Sequence, residues 1–221
     1  MRDVITVDGL AGSGKSALAK ALAERLGFCH LNSGLVYRVV AALTLEMGLN
    51  PTCEHDVMKA LNGHGIVFRQ GITGESEVAV DGLSKGAELH TPLVSEASSL
   101  VARHQVVRDA VLKIQQEAYM PHGLVAEGRD MGTVVFPEAK VKFFVQGDLD
   151  VRAMRRLDQL KQTGQSIQLE DVRRAIRERD ERDASSSVGT MRQADDAVVI
   201  DNSRDPFAVV LERMLSNVKS L

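Results

Sequence analysis

The sequence predicts an α/β fold in which a mostly parallel sheet is flanked by helices on both faces. Short apolar, β-branched runs alternate along the chain with helical stripes, and the first such run leads through a glycine-rich turn into a helix. Residues 34–105 and 148–190 do not fit this plain alternation. We therefore expect a core domain with two inserted segments.

The N-terminal elements begin the alternation. Residues 4–7 form an apolar, β-branched run and predict a strand that is buried on both faces. After the turn at residues 9–14, apolar side chains recur every four residues up to Gly27, which predicts a helix that ends there. Residues 28–31 predict a second strand, and the apolar stripe at residues 35–43 predicts another helix.

An antiparallel hairpin is predicted where glycine is concentrated. Residues 66–68 and 78–80 are apolar and flank a Gly-Ile-Thr-Gly turn at 71–74. The remaining predicted elements, in chain order, are helices at 93–102 and 107–118, strands at 124–126 and 141–145, charged helices at 152–162 and 169–182, a strand at 197–200 and a helix that begins at Pro206.

Composition argues against several classes of protein. The 221 residues carry 27 basic and 30 acidic side chains, and this net charge of -3 does not suit a dedicated nucleic-acid binder. No apolar run approaches the roughly 18 residues of a membrane span, and the N-terminus lacks the features of a signal peptide. Cys29, Cys53 and the scattered histidines have no metal-binding spacing. We expect a cytoplasmic, monomeric protein without a protein-bound metal site.

One motif specifies phosphate binding. Residues 9–16 match G-x-x-x-x-G-K-[ST], with a predicted strand before them and a predicted helix after them. Such a loop points backbone N–H groups at a polyphosphate, and the helix adds the positive end of its dipole. The lysine places a cation against the β- and γ-phosphates, and the serine hydroxyl binds Mg²⁺. The predicted ATP-binding residues are Gly9, Leu10, Ala11, Gly12, Ser13, Gly14, Lys15 and Ser16, with Ser16 as the Mg²⁺ ligand.

The motif specifies a nucleotide and leaves the reaction open. The chain has no Asn-Lys-x-Asp segment of the kind that switch GTPases use to read guanine, and it is short for a motor ATPase. Many arginines follow the loop, and one planar guanidinium group can bind two phosphate oxygens at once. A short chain with two insertions and many arginines suits a small kinase. Asp8, at the end of the first strand, either orients a Mg²⁺-bound water or caps the N–H groups of the loop; the second role is favoured.

Four blocks closely resemble bacterial cytidylate kinases, a family of nucleoside monophosphate kinases with a P-loop. They are Gly9–Ser16, Asn32-Ser33-Gly34-x-x-Tyr37-Arg38, the run from Gly128 to Pro137, and Arg179-Asp180-x-x-Asp183. The resemblance extends from about Val4 to Phe207. It implies a P-loop core (1–33, 106–147 and 191–221), an inserted monophosphate-binding domain with a small antiparallel sheet (34–105), and a helical lid (148–190).

The resemblance also implies an activity, which is transfer of the ATP γ-phosphoryl group to CMP or dCMP. Ser99, Arg108 and Asp130 would then read the cytosine edge. Arg38 and Arg129 would hold the acceptor phosphate, and Arg179 and Asp183 would reach that phosphate and the ribose. Ser33 and Tyr37 belong to the predicted CMP site through the second block. Positive charge for catalysis would come from Lys15, Arg129, Arg156 and Arg179.

The chain departs from the family pattern at four positions. Asn32 and Glu127 each stand where the family usually has aspartate. His90 and Ser186 each replace an arginine, and the second of these removes a lid arginine that helps to hold the acceptor. Arg192 could substitute if its loop folds back. These changes bear on the affinity for the monophosphate and its sugar more than on the reaction type.

Two alternatives remain open at the level of the sequence. One is a kinase of another small acceptor, UMP or an alcohol, for which Asp130 could serve as a base. The other is an ATP-binding switch that uses the same loop without transfer. A pure switch has no reason to carry Arg38 and the run from Gly128 to Pro137.

Overall fold

A computed structural model describes residues 3–70, 76–118, 122–162, 164, 167–185 and 191–219. The chain divides into two compact units, the first formed by residues 1–26 and 125–221 and the second by residues 27–124. The predicted hairpin turn at 71–74 and Ser186 lie outside the described residues. None of the helices in the described ranges is both long and apolar enough to cross a membrane.

The described residues form eight strands and eight α-helices. The strands are β1 (Val4–Gly9), β2 (Cys29–Asn32), β3 (Ile66–Gln70), β4 (Ser76–Val80), β5 (Leu83–Lys85), β6 (Leu124–Gly128), β7 (Val141–Gln146) and β8 (Val198–Asp201). The helices are α1 (Lys15–Leu26), α2 (Gly34–Glu46), α3 (Glu54–Asn62), α4 (Pro92–Val101), α5 (Gln105–Glu117), α6 (Leu149–Gln162), α7 (Leu169–Ser185) and α8 (Phe207–Lys219). A 3₁₀ turn (Ala87–His90) and a π-helical turn (Met131–Val135) complete them.

The first unit is built on the parallel sheet that the sequence predicts. Within this unit the strands lie in the order β6-β1-β7-β8, and β7 pairs in parallel with both β1 and β8. Every residue of β1 is buried, as expected for a strand covered on both faces. Because the carboxyl ends of parallel strands meet at one edge of a sheet, the turn after β1 lies at the edge where α/β folds bind ligands.

The second unit contains the predicted antiparallel sheet and an apolar core of its own. Its sheet has the order β3-β4-β5, with Ile66 opposite Val80 and Gln70 opposite Ser76. Helix α2 passes through the core, where Val36 and other apolar residues of its stripe are fully buried. The sheet has one more strand than the predicted hairpin, because the chain turns back at Gly82 and pairs β5 with β4.

The predicted alternation of strands and helices is confirmed, and the local differences are small. The helix α3, the 3₁₀ turn and the π-helical turn were not predicted from the sequence. Helix α3 has nine residues, and its buried Val57, Ala60 and Leu61 are too few to give a clear period. The π-helical turn lies inside a segment that was recognised only as a motif. The three-part division at 33/34, 105/106, 147/148 and 190/191 stays a prediction.

Candidate active site

The predicted phosphate loop lies between β1 and α1, where the sequence places it. Gly9, Gly12 and Gly14 have φ angles of 153°, 69° and 84°, which L-residues with a side chain rarely adopt. The Leu10 N–H donates to the Val145 carbonyl oxygen at 3.2 Å and ties the start of the loop to β7. The glycines therefore allow the sharp curl of the loop.

A side chain from the far end of the chain supports the loop. Asn202, which follows β8 and is buried, donates from Nδ2 to the Ser13 carbonyl oxygen at 2.7 Å. A Cβ atom at Gly14 would lie 2.7 Å from that same Nδ2. Arg155 of α6 in turn donates to the Asn202 carbonyl oxygen at 2.8 Å. Gly14 is therefore needed both for its φ angle and for the space that Asn202 fills.

Lys15 is held at the loop among charged neighbours. Its Nζ donates to the Leu10 carbonyl oxygen at 3.2 Å. Burial of the ammonium group, followed by repulsion from Arg129, lowers the pKa of Lys15 to about 7. Arg179 lowers this pKa further, whereas the carboxylates of Glu127 and Asp183 raise it. Several cationic side chains therefore lie near one another at the loop.

We predict that ATP binding draws a proton from solution at slightly alkaline pH. With a pKa of about 7, roughly nine in ten Lys15 side chains are neutral at pH 8, and a polyphosphate favours the charged form. Titration calorimetry at pH 8, in two buffers of different ionisation enthalpy, should give different heats, and ATP affinity should fall as the pH rises above 7. Lys15→Met should abolish the difference between buffers, while Lys20→Met on the same helix should keep it. Equal heats for the unaltered protein would contradict the prediction.

Arg129 joins the loop to α7. It follows β6, and its guanidinium donates to the Gly9 carbonyl oxygen. The same guanidinium forms an ion pair with Asp183 of α7 at 3.1 Å, and both side chains are about four-fifths buried. Lys15, Arg129, Arg179 and Asp183, which were assigned separately to catalysis and to the acceptor, are therefore brought together within the first unit.

Asp8 shapes the segment that carries Asp130. Its two carboxylate oxygens accept from the N–H groups of Met131 and Gly132 at 2.9 and 2.8 Å. Burial raises the pKa of Asp8 to about 6, although both hydrogen bonds act in the opposite direction. The sequence analysis favoured a cap on the N–H groups of the phosphate loop; the carboxylate instead caps the π-helical turn. Asp130, directly before that turn, is buried.

In the second unit, Arg38 is fixed by backbone and side-chain acceptors. It lies on α2 and donates to the Leu89 carbonyl oxygen at 2.9 Å and to Ser95 Oγ of α4 at 3.2 Å. Partial burial and repulsion from Arg38 lower the pKa of His90. The imidazole of His90 therefore lies close enough to Arg38 for its charged form to be disfavoured.

Arg108 and Tyr37, both assigned to the CMP site, also lie together. The Arg108 guanidinium carbon is 5.9 Å from the centre of the Tyr37 ring, which is within range for a cation–π contact. Ser33 is buried at the start of α2, and Ser99 is half-buried on α4. Asn32 Oδ1 accepts from the Gly34 N–H at 3.0 Å, which an aspartate at this position could also do.

The structure also shows contacts that the sequence analysis missed. Arg156, predicted to be catalytic, donates to Gln159 of its own helix, whereas Arg152, one turn earlier, reaches the loop at the Ala11 carbonyl oxygen. Asp180 accepts from the Ala11 N–H. The spacing of arginines along α6 could not distinguish Arg152 from Arg156, because both lie on one helical face.

Ser16 provides the kind of group that Mg²⁺ requires. It is exposed at the first turn of α1, directly after Lys15, so that its hydroxyl is open to a ligand. Hydroxyl and phosphate oxygens are hard donors that suit Mg²⁺. No cluster of three or more metal-binding side chains occurs within the described ranges.

A glycine-rich loop between a parallel strand and a helix, with a lysine and a serine at the helix start, defines a P-loop nucleotide-binding protein. The family model "Cytidylate kinase" matches residues 5–220. The chain is 41% identical over 212 residues to a cytidylate kinase of Citrobacter koseri, a match that covers 96% of this chain and 93% of the relative. It is 38% identical over 216 residues to one of Thermotoga neapolitana, covering 97% of this chain and 96% of the relative. The chain belongs to the cytidylate kinase family.

Among solved structures, an uncharacterised protein from Eubacterium ventriosum has a similar fold. The TM-score is 0.51 at 13% sequence identity, and the alignment covers all of both chains. This similarity concerns the fold alone.

Proposed function

We propose that the chain transfers the γ-phosphoryl group of ATP to CMP or dCMP. The observation that supports this proposal is the placement of Arg129 and Arg179 near Lys15 at the loop, where both guanidinium groups repel the ammonium group and lower its pKa. Such mutual repulsion is relieved when a polyphosphate binds, and like charges at about 4 Å cost several kcal/mol at an effective dielectric constant of about 20. Membership of the cytidylate kinase family supports the reaction and the acceptor.

The proposed mechanism is an in-line transfer that needs no general base. The attacking phosphate oxygen of the acceptor is already anionic at pH 7, so catalysis consists of positioning and of stabilising charge. Lys15 and Arg129 would neutralise charge on the transferred group, with Arg179 and Arg156 contributing from the helical pair. Ser16 would bind Mg²⁺ together with the ATP phosphates, and the metal would neutralise phosphate charge.

Recognition of the acceptor is proposed to involve the residues that the family resemblance assigns to the CMP site. Arg38 and Arg129 would hold its phosphate, and Arg179 and Asp183 would reach the phosphate and the ribose. Ser99, Arg108 and Asp130 would read the exocyclic amine, N3 and O2 of cytosine. Uracil reverses two of these features and would leave buried polar groups unpaired, at about 1–3 kcal/mol each.

The helical pair α6–α7 is proposed to be a lid. Its two helices pack on each other through a small apolar cluster of Ala153, Leu157, Val172 and Ile176. A pair with its own cluster can move as one body, and closure over the nucleotides would exclude water as a competing acceptor. We further propose a monomeric, cytoplasmic enzyme.

The proposal is tested by offering acceptors separately. With ATP·Mg²⁺, ADP production should be strong with CMP and dCMP, weak with UMP and absent with AMP. Asp130→Ala should reduce the difference in turnover between CMP and UMP more than it weakens ATP binding. Equal turnover with all acceptors, or none, would contradict the proposed acceptor.

The same assay separates the alternatives. A kinase of another small acceptor would consume ATP only when that acceptor is present. A switch would hydrolyse ATP at a rate that CMP does not change. We expect ATP consumption to depend on CMP, because the proposed acceptor is CMP rather than water.

A further inference from the structure

Two charged side chains hold the backbone of one residue of the phosphate loop, Ala11, through its N–H and its carbonyl group. Asp180 Oδ1 of α7 accepts from the Ala11 N–H at 3.3 Å, and Arg152 of α6 donates to the Ala11 carbonyl oxygen at 2.9 Å. Arg152 Nη1 and Asp180 Oδ2 form an ion pair at 2.5 Å. Arg152 also donates from Nε to the Gly147 carbonyl oxygen at 2.8 Å, just after β7. The contacts thereby use both carboxylate oxygens of Asp180 and the Nε and Nη1 groups of Arg152.

The position of the pair favours a role at the loop over a role in holding the helices together. Helices α6 and α7 already pack through their own apolar cluster. Only 6% of the Arg152 side chain and 18% of the Asp180 side chain are exposed, so their ion pair is poorly screened by solvent. A Cβ atom at Gly12 would lie 3.4 Å from the Arg152 carbonyl oxygen and 3.7 Å from Ile176. Both helices thus lie directly against the loop.

Support at Ala11 matters because two nearby glycines have no side chains that could fix the backbone there. Gly9 and Gly12 have positive φ angles and no side chains, so neither packs to fix the intervening peptides. Loop N–H groups stabilise a polyphosphate most when they already point at it, since no reorganisation is then needed. A clamp on the two peptide groups that flank the Ala11 Cα orients the N–H groups that follow them.

We propose that Arg152 and Asp180 are positioning residues that clamp the backbone N–H and carbonyl groups of Ala11 and thereby set the phosphate loop for ATP. This rests on the proposed function, because it assigns the loop to ATP. The carboxylate of Asp180 is a support for the loop and does not occupy the phosphate site. The clamp also links the loop to α7, on which Arg179 and Asp183 flank Asp180 in the sequence.

The proposal is tested with Asp180→Asn, which keeps an oxygen for the Ala11 N–H and removes the charge that pairs with Arg152. Affinity for a non-hydrolysable ATP analogue with Mg²⁺, measured by calorimetry, should fall about tenfold, as expected for loss of a charge-assisted hydrogen bond. The KM for ATP should rise in parallel, and the KM for CMP should change by less than about twofold. Asp180→Ala should have the larger effect because it also frees the Ala11 N–H.

A matched control lies on the same helix. Asp171 pairs with Arg174 at 2.6 Å on the exposed face of α7, and Asp171→Asn should leave ATP affinity and turnover unchanged. The double variant Arg152→Gln/Asp180→Asn should lose no more affinity than the worse of its single variants, since the pair acts as a unit. Thermal unfolding of each variant shows whether it is folded.

Three outcomes would overturn the clamp. Unchanged ATP affinity in the folded Asp180→Asn protein would show that the pair does not position the loop. Tighter ATP binding would show that the carboxylate competes with phosphate. An equal rise in the KM for ATP and the KM for CMP would show that Asp180 supports the fold in general and does not specifically position the loop. The binding readout needs no acceptor, so absence of CMP turnover in the unaltered protein would contradict the proposed function and leave the clamp testable.

Discussion

Replacing Lys15 with methionine is expected to reduce turnover of ATP and CMP at least about 10³-fold, because a buried cation at the transferred phosphoryl group is lost. Methionine is similar in length and apolar, so it suits the buried site. Burial lowers the pKa of Lys15 from 10.5 to about 7, which means that the charged lysine is a cost to the empty fold. The variant should therefore be folded and at least as stable as the unaltered protein at pH 7.

The pH dependence of stability provides an internal check on this variant. Between about pH 7 and 10.5, the unfolded chain carries a proton on Lys15 that the folded chain lacks, so this residue makes stability rise with pH. In thermal unfolding measured at several pH values, the Lys15→Met protein should lack the rise in stability with pH that Lys15 contributes. Lys20→Met, a change of the same kind on α1, should keep both the contribution and the turnover. Near-normal turnover in Lys15→Met would contradict the mechanism.

Gly9→Ala is expected to have the largest effect on folding. The added Cβ would collide with the Val145 carbonyl oxygen, which belongs to the backbone of β7 and accepts the Leu10 N–H. The φ angle of Gly9 is 153°, which adds backbone strain for alanine. Since neither backbone can move without breaking strand pairing, we expect a loss of about 3 kcal/mol or more, which lowers Tm by roughly 6–12 °C.

Gly147→Ala is the matched control for this steric argument. Gly147 follows β7, has no positive φ angle, and an added Cβ would meet atoms no nearer than 3.7 Å. The unfolding free energy of the Gly147→Ala protein should stay within about 0.5 kcal/mol of that of the unaltered protein. ATP affinity should fall in Gly9→Ala, because the loop begins at this residue. A Tm for Gly9→Ala equal to that of Gly147→Ala would contradict the collision.

The phosphate loop was predictable because its information is local. The spacing of Gly9, Gly14 and Lys15, and the apolar run before them, lie within a dozen residues. Short-range sterics and strand burial then set the strand, turn and helix, and the structure has them at the predicted positions. The resemblance to the cytidylate kinase family also depends on contiguous blocks, and the match over residues 5–220 confirms it.

Partners that are distant in the sequence were not predictable in this way. Ala11 and Asp180 are separated by 169 positions, and Ser13 and Asn202 by 189. Nothing in the local pattern distinguishes these residues from other polar residues on a charged helix or in a surface loop. Arg152 and Arg156 differ by one turn of α6, and only the packing of that helix against the loop shows which of them reaches Ala11.

Asp8 and the glycines of the loop depend both on the local sequence and on tertiary contacts. The sequence alone established that a strand ends at Asp8 and that a phosphate loop follows, because strand propensity, glycine φ preference and motif spacing act over a few residues. Tertiary structure established that Asp8 caps Met131 and Gly132 and that Gly14 makes room for Asn202. The reason is that a buried carboxylate or amide must satisfy its hydrogen bonds wherever the folded chain brings a partner within reach.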